Sequence, residues 1–172
     1  MNAAVDHAAA PCKVLVIGLG NADRGDDGVG VSVAEGLRGR LPADVPVLAR
    51  GSDMLSLIDD WTGFDAVVCI DAAAPLTGPG RIHRIDLCAA TVPRELSLTS
   101  SHALGLAEAF ELARTLQVAP RQLIVYAIEG ASFEHGAALT PAVAVAARAV
   151  AHSVVAEVGR LRFESIEEVF HA

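Results

Sequence analysis

One stretch limits the possible folds of this chain more than any other: Val14-Leu-Val-Ile-Gly-Leu-Gly-Asn-Ala-Asp-Arg-Gly-Asp-Asp-Gly-Val-Gly30. It opens as a continuous apolar run from Val14 to Ile17, closed by Gly18 and Gly20, which is the pattern of a strand buried on both faces. A loop of Asn, Asp and Gly follows. Val29, Val33 and Leu37 then recur at helical spacing, so a helix is predicted from about Asp27 to Arg40. Strand, polar turn and helix are the start of a parallel βαβ unit. Asp26 and Asp27 fall where that helix begins, and unpaired backbone N–H groups and the helix dipole favour negative charge there. A capping Asp accounts for one of these carboxylates but not for the whole acidic cluster.

The same stretch resembles the start of a dinucleotide fingerprint at Gly18-Leu-Gly20, but Asp23 stands where the third glycine belongs. Asp23, Asp26 and Asp27 would repel a pyrophosphate. No acid suited to a ribose hydroxyl ends the second strand; Arg50 lies nearer that position. These features argue against NAD or FAD.

Further along, Val47–Arg50 reads as a short strand, with Gly51-Ser-Asp53 as turn and N-cap for a helix over Met54–Trp61. Asp65–Asp71 is a second apolar core strand closed by an acid. Asp71 lies at the carboxyl edge of that strand, where open α/β sheets form sites, and it serves equally as a turn former ahead of Ala72–Gly80. Arg81–Leu87 alternates polar and apolar, which predicts an edge strand antiparallel to its neighbour with His83 on the solvated side. Cys88–Leu98 is irregular, with Pro93 in it.

A helix is expected over Ala103–Gln117, capped by Ser100 or Ser101, with His102 in its first turn. A histidine there is biased toward the neutral form that ligates a metal or accepts a proton. Gln122–Ile128 is the last strand. In the loop that follows, Glu129, Glu134 and His135 either line a site or are solvated. Thr140-Pro141 opens a final helix reaching about Arg162. The segments 1–11 and 163–172 read as loose ends, the latter also as a short helix or a partner-binding end. The order β-α-β-α-β-β-α-β-α predicts a single α/β domain over 1–172, a three-layer sandwich whose twisted, mostly parallel sheet of about five strands carries helices on both faces.

Charge and composition narrow the function. A net charge of −8 leaves no basic face for nucleic acid. No apolar run reaches the roughly 18 residues that span a bilayer, and the N-terminal segment lacks the basic and apolar regions of a signal peptide. The three cysteines, Cys12, Cys69 and Cys88, show no paired metal spacing. Cys69 falls inside a core strand as a small hydrophobe. A cytoplasmic location with reduced thiols is expected.

Asp27, Asp71 and His102 are far apart in sequence, yet each is predicted just past a strand or at a helix start on one rim of the sheet. Two carboxylates and an imidazole suit a borderline divalent metal such as nickel, zinc or cobalt, with coordination positions left open.

Here four motifs in order carry a resemblance. Gly18-Leu-Gly-Asn-Ala-Asp-Arg-Gly-Asp-Asp-Gly-Val-Gly30, Ile70-Asp-Ala72, Ser101-His-Ala-Leu-Gly-Leu106 and Leu139-Thr-Pro141 resemble the hydrogenase maturation endopeptidases from about Val14 to Val158. The resemblance implies an endopeptidase that clips a C-terminal extension from the precursor of a nickel–iron hydrogenase large subunit after nickel insertion. It implies that Asp27, Asp71 and His102 are the catalytic, metal-probing residues, and that the nickel arrives with the precursor. Asp27 stands where some members carry Glu. Arg50-Gly-Ser-Asp53 replaces the acidic turn that the family associates with substrate recognition. A monomer is expected. Either a metal-polarised water or a carboxylate base such as Asp27 supplies the hydrolytic step. Two other readings stand beside this one. The first is a metal-dependent checkpoint that binds hydrogenase precursors without cutting them. The second is a peptidyl-tRNA hydrolase, whose similar Gly-Leu-Gly-Asn opening continues differently and needs a basic surface.

Overall fold

The computed structural model describes residues 12–51, 53, 55–89 and 101–167, without the side chains of 101–104 and 164–167. The elements in order are β1 (Val14–Leu19), a 3-10 turn (Gly25–Gly28), α1 (Val29–Leu37), β2 (Val47–Arg50), α2 (Ser56–Trp61), β3 (Ala66–Ala73), β4 (Ile82–Asp86), α3 (Ser101–Thr115), β5 (Gln122–Glu129) and α4 (Pro141–Glu167). One five-stranded sheet runs β2-β1-β3-β5-β4. Its first three pairings are parallel, and β4 closes the edge antiparallel to β5.

The apolar runs become the two-sided strands they predict: every residue of β1 and β3 is buried. Alternate residues face opposite layers. Val14, Val16, Val68 and Ile70 pack under α1 and α4, where Val143, Val150 and Val154 of α4 are fully buried. Leu15, Ile17, Val67 and Cys69 pack under α2 and α3 against Trp61, Leu106 and Phe110. Each large aliphatic side chain so buried contributes roughly 1.5–3 kcal/mol. Burial pushes the Cys69 thiol well above its ordinary value, helped by the nearby Asp71 charge, so it stays protonated and inert.

Several boundaries move, each for a local reason. The first helix starts at Val29, because Asp26 and Asp27 belong to the 3-10 turn, and it ends at Leu37, ahead of the left-handed Gly39. The second helix begins at Ser56, after Asp53 has turned the chain by accepting the Leu55 N–H. Strand β3 runs past Asp71 because Ala72 and Ala73 still pair with Ile128 and Glu129. Helix α3 includes Ser101 and stops at Thr115, before Gln117 turns left-handed at φ 60°. Helix α4 continues beyond Arg162 to Glu167, so the start of the 163–172 tail is helical. The rest of that tail, residues 1–11, Ser100 and most of Cys88–Leu98 lie outside the described residues.

The segment Pro141–Phe163 of α4 is long and apolar enough, by length and average composition, to cross a membrane, although Arg148, His152, Ser153 and Glu157 break its apolar run. It lies along the sheet as a core helix, with one face buried from Val143 to Leu161. Glu157 pins it there: the carboxylate accepts from Arg84 of the edge strand, from Arg160 and from the Tyr126 hydroxyl. Burial works to raise Glu157, but these donors outweigh it and hold the carboxyl down at about 2.

Candidate active site

The glycines of the first motif are packing devices. A side chain on Gly18 would strike the Gly30 carbonyl at 2.1 Å, and one on Gly30 would meet the carbonyls of Ile70 and Leu19 at 2.3 Å. At Gly20 the backbone has φ 121°, and an added Cβ would come within 1.9 Å of the Asp27 carbonyl. Four backbone segments therefore meet closely at the carboxyl ends of β1 and β3. Neighbouring strands β1 and β3 are also the point where the sheet order changes direction, which is where open α/β sheets place their sites.

Asp27 sits on that meeting point. It is only 9% exposed, and its Oδ2 accepts the Asn21 N–H at 2.9 Å, closing the loop on which it stands. It lines a cleft of about 430 Å³ together with Gly20, Asn21, Arg24, Arg50 and Gly51. Arg50 is held at the cleft wall by a two-pronged pair with Asp60 at 2.7 and 2.8 Å.

Asp71 lies on the same rim but inside β3, two residues before its end, at 2% exposure. Strand alternation puts it on the face of Cys69 and Ala73, the face covered by α3. Its Oδ1 accepts the Ala72 N–H at 2.8 Å. His102 is in the first turn of α3, and its side chain lies outside the described ones. Asp27 and Asp71 are thus brought to one edge. The third member of the set is placed by its backbone alone. Among the described residues no group of three or more His, Cys, Asp or Glu stands together as a metal cage.

Sequence reasoning missed what Asp26 does. It caps no helix. Its buried carboxylate reaches across to the loop after β5, accepting from Ala131 N at 2.7 Å, Ser132 N at 3.1 Å, Thr140 N at 2.7 Å and Thr140 Oγ1 at 2.9 Å. Burial acts to raise this carboxyl, but the backbone donors and the hydroxyl prevail and keep it below its ordinary value. Main-chain bonds reinforce the seam: Gly25 N to Ala137 O, Asp26 N to Ser132 O and Gly136 N to Asp23 O. The turn that carries Asp27 is therefore stitched to the loop ending in Thr140-Pro141. The signal in the sequence was the surplus carboxylate beside Asp27.

Glu129 is also corrected. It is the last residue of β5, fully buried, and not part of a solvated loop. Its carboxylate accepts from the backbone of Leu76, Thr77 and Gly78, from the Thr77 hydroxyl, and meets His83 Nε2 at 2.7 Å. Burial opposes ionisation, yet these bonds hold Glu129 far below its ordinary value. His83 is accordingly an anchored side chain and not a solvated one. Glu134 and His135 are exposed and do not line the cleft.

A model of the family described as hydrogenase maturation protease matches residues 31–157. The chain belongs to that family. It is 28% identical to the Hydrogenase 2 maturation protease of Escherichia coli over 165 residues, 92% of this chain and 99% of the relative. The structure of the hydrogenase maturating endopeptidase HybD from E. coli superimposes with a TM-score of 0.75 at 26% identity, covering 86% of this chain and 93% of that one. The maturation protease HybD from Thermococcus kodakarensis shares the fold, with a TM-score of 0.69 at 22% identity over 83% of this chain and 96% of its own. This hydrogenase maturation protease is thus a peptide-bond hydrolase that acts on the C-terminal end of a hydrogenase large-subunit precursor.

Proposed function

We propose that the cleft beside Asp27 receives the C-terminal segment of a nickel-loaded hydrogenase precursor, and that Asp27, Asp71 and His102 read the metal that the precursor carries. The observation that carries this reading is the glycine seam, which sets Asp27 against the strand end bearing Asp71. By helical spacing position 102 stands one turn before Leu106, whose side chain packs on the face shared by Asp71. Two carboxylates and an imidazole fit nickel by donor type, and each leaves positions open for the precursor's own ligands. Nickel belongs here to the substrate. Asp27 lines the cleft and so meets the scissile segment first. In the hydrolytic step the water oxygen bonds to the scissile carbonyl carbon. Its proton passes to Asp27 and on to the departing amide nitrogen as the C–N bond breaks. The enzyme works as a monomer in the cytoplasm, on a precursor that has already received its metal.

The test is the intact mass of the precursor before and after incubation, with and without nickel. Loss of a defined C-terminal peptide only from the nickel-loaded form is expected, and Asp71→Asn is expected to abolish it. Cleavage of the metal-free precursor at the same rate overturns the nickel reading. A stable complex without any mass change makes the chain a checkpoint instead.

A further inference from the structure

We infer that the groove between α1 and α4 docks an acidic, partly apolar segment of the hydrogenase precursor, outside the cleavage cleft. The inference rests on the precursor reading above. The groove holds about 340 Å³ over a floor of Val33, Leu139 and Ala147, and its rim carries Arg40, Arg148 and His152. No Asp or Glu lines it. That is unexpected in a chain with 21 acids against 13 Lys and Arg. Several arginines elsewhere are taken up by carboxylates, among them Arg50 with Asp60, Arg84 with Glu157 and Arg162 with Asp44. Among the described residues Arg40 and Arg148 have no such partner, and both are exposed. His152 donates its Nδ1–H to the Arg148 carbonyl at 2.8 Å, which fixes the ring on the rim. One turn before Arg148 on α4, Val145 is 58% exposed and adds an apolar contact beside the groove.

Position selects the occupant. At one end Leu139 adjoins Thr140, whose N–H and hydroxyl hold Asp26 next to Asp27. On α1, Ser32 lines the groove while its neighbour Val31 lines the cleft. The groove therefore starts beside the cleavage site, follows α1 for about 7.5 Å from Ser32 to Leu37, at 1.5 Å per residue, and ends at Arg40 just past the helix. A segment seated there delivers the adjoining chain to Asp27. An acidic segment approaching a protein of net charge −8 is repelled almost everywhere. A local cationic rim orients it and raises its rate of encounter.

The test is the processing of full-length, nickel-loaded precursor by Arg40→Glu/Arg148→Glu. The expected result is a fall of about tenfold in kcat/KM at low salt, carried by KM, because rim charges act on encounter and binding. Circular dichroism and kcat are expected to stay as in the wild type. The deficit closes as salt is raised toward 1 M, where charges are screened within about 3 Å, and Arg40→Lys/Arg148→Lys restores KM. An unchanged KM overturns the proposal, as does a loss confined to kcat. A wild-type dimer that the reversal splits without altering KM also overturns it, by making the groove an interface between copies. If wild-type protein cuts no precursor, the cleavage reading fails. Titration of precursor onto wild type and variant then decides the groove by itself: tenfold weaker binding by the variant supports it, equal binding overturns it.

Discussion

Asp26 offers the sharpest test of how the cleft is built. Its buried carboxylate takes four hydrogen bonds from Ala131, Ser132 and Thr140. Hydrogen bonds to a charged acceptor contribute about 1.5–3 kcal/mol each, and donors left without a partner lose about 1–3 kcal/mol each. These are part-buried, so water recovers some of the loss. Asp26→Ala is expected to lower stability by about 4 kcal/mol, within the range seen when one partner of a buried ionic contact is removed. Asp26→Asn keeps the shape, but its amide hydrogens must face a donor, either Thr140 N or the three that converge on Oδ2. About 2 kcal/mol is expected for it. Urea unfolding followed by the fluorescence of Trp61, which is fully buried, reads both. With a slope near 2 kcal/mol per molar, the midpoints fall by about 2 M and 1 M. The sign with pH is fixed as well. The Asp26 pKa is lowered on folding from 3.8, so its stabilisation is present above that value and is lost as pH falls below it. The gap between wild type and Asp26→Asn must therefore narrow in acid. Unfolding of both variants within about 0.5 kcal/mol of wild type at neutral pH, the scatter of surface substitutions, would refute the reasoning.

Other predictions follow from the same geometry. Gly30→Ala sets a Cβ about 2.3 Å from two carbonyl oxygens, so it should fail to fold or lose over 3 kcal/mol by thermal unfolding, a scale set by overpacking. Wild-type stability should decline as pH drops below about 4.5, because Glu129 and Glu157 join Asp26 in having carboxyls lowered from 4.5 or 3.8; a flat acid profile by circular dichroism would contradict that. Glu129→Gln should speed amide exchange at Leu76, Thr77 and Gly78 while leaving the centre of β5 protected. His102→Ala should abolish precursor processing with an unaltered thermal midpoint; full cleavage by that variant removes His102 from the site.

The legible parts of the chain were those whose chemistry is local. Continuous apolar runs at Val14–Ile17 and Ala66–Ile70 dictate strands buried on both faces, and periodic Val29, Val33 and Leu37 dictate an amphipathic helix, because side-chain period follows from backbone geometry alone. The alternation of Arg81–Leu87 dictates an edge strand, and β4 is one. Order along the chain then sets a mostly parallel sheet and places Asp27 and Asp71 on its rim. What the tertiary structure decided is the fate of carboxylates whose partners are distant in sequence. Asp26 bonds residues 105 and more positions away, and Glu129 bonds residues some 50 positions away. Neither partnership leaves a periodic or spacing signal. The fold brings the loops together first, and only then does a buried carboxylate find enough donors to keep its charge.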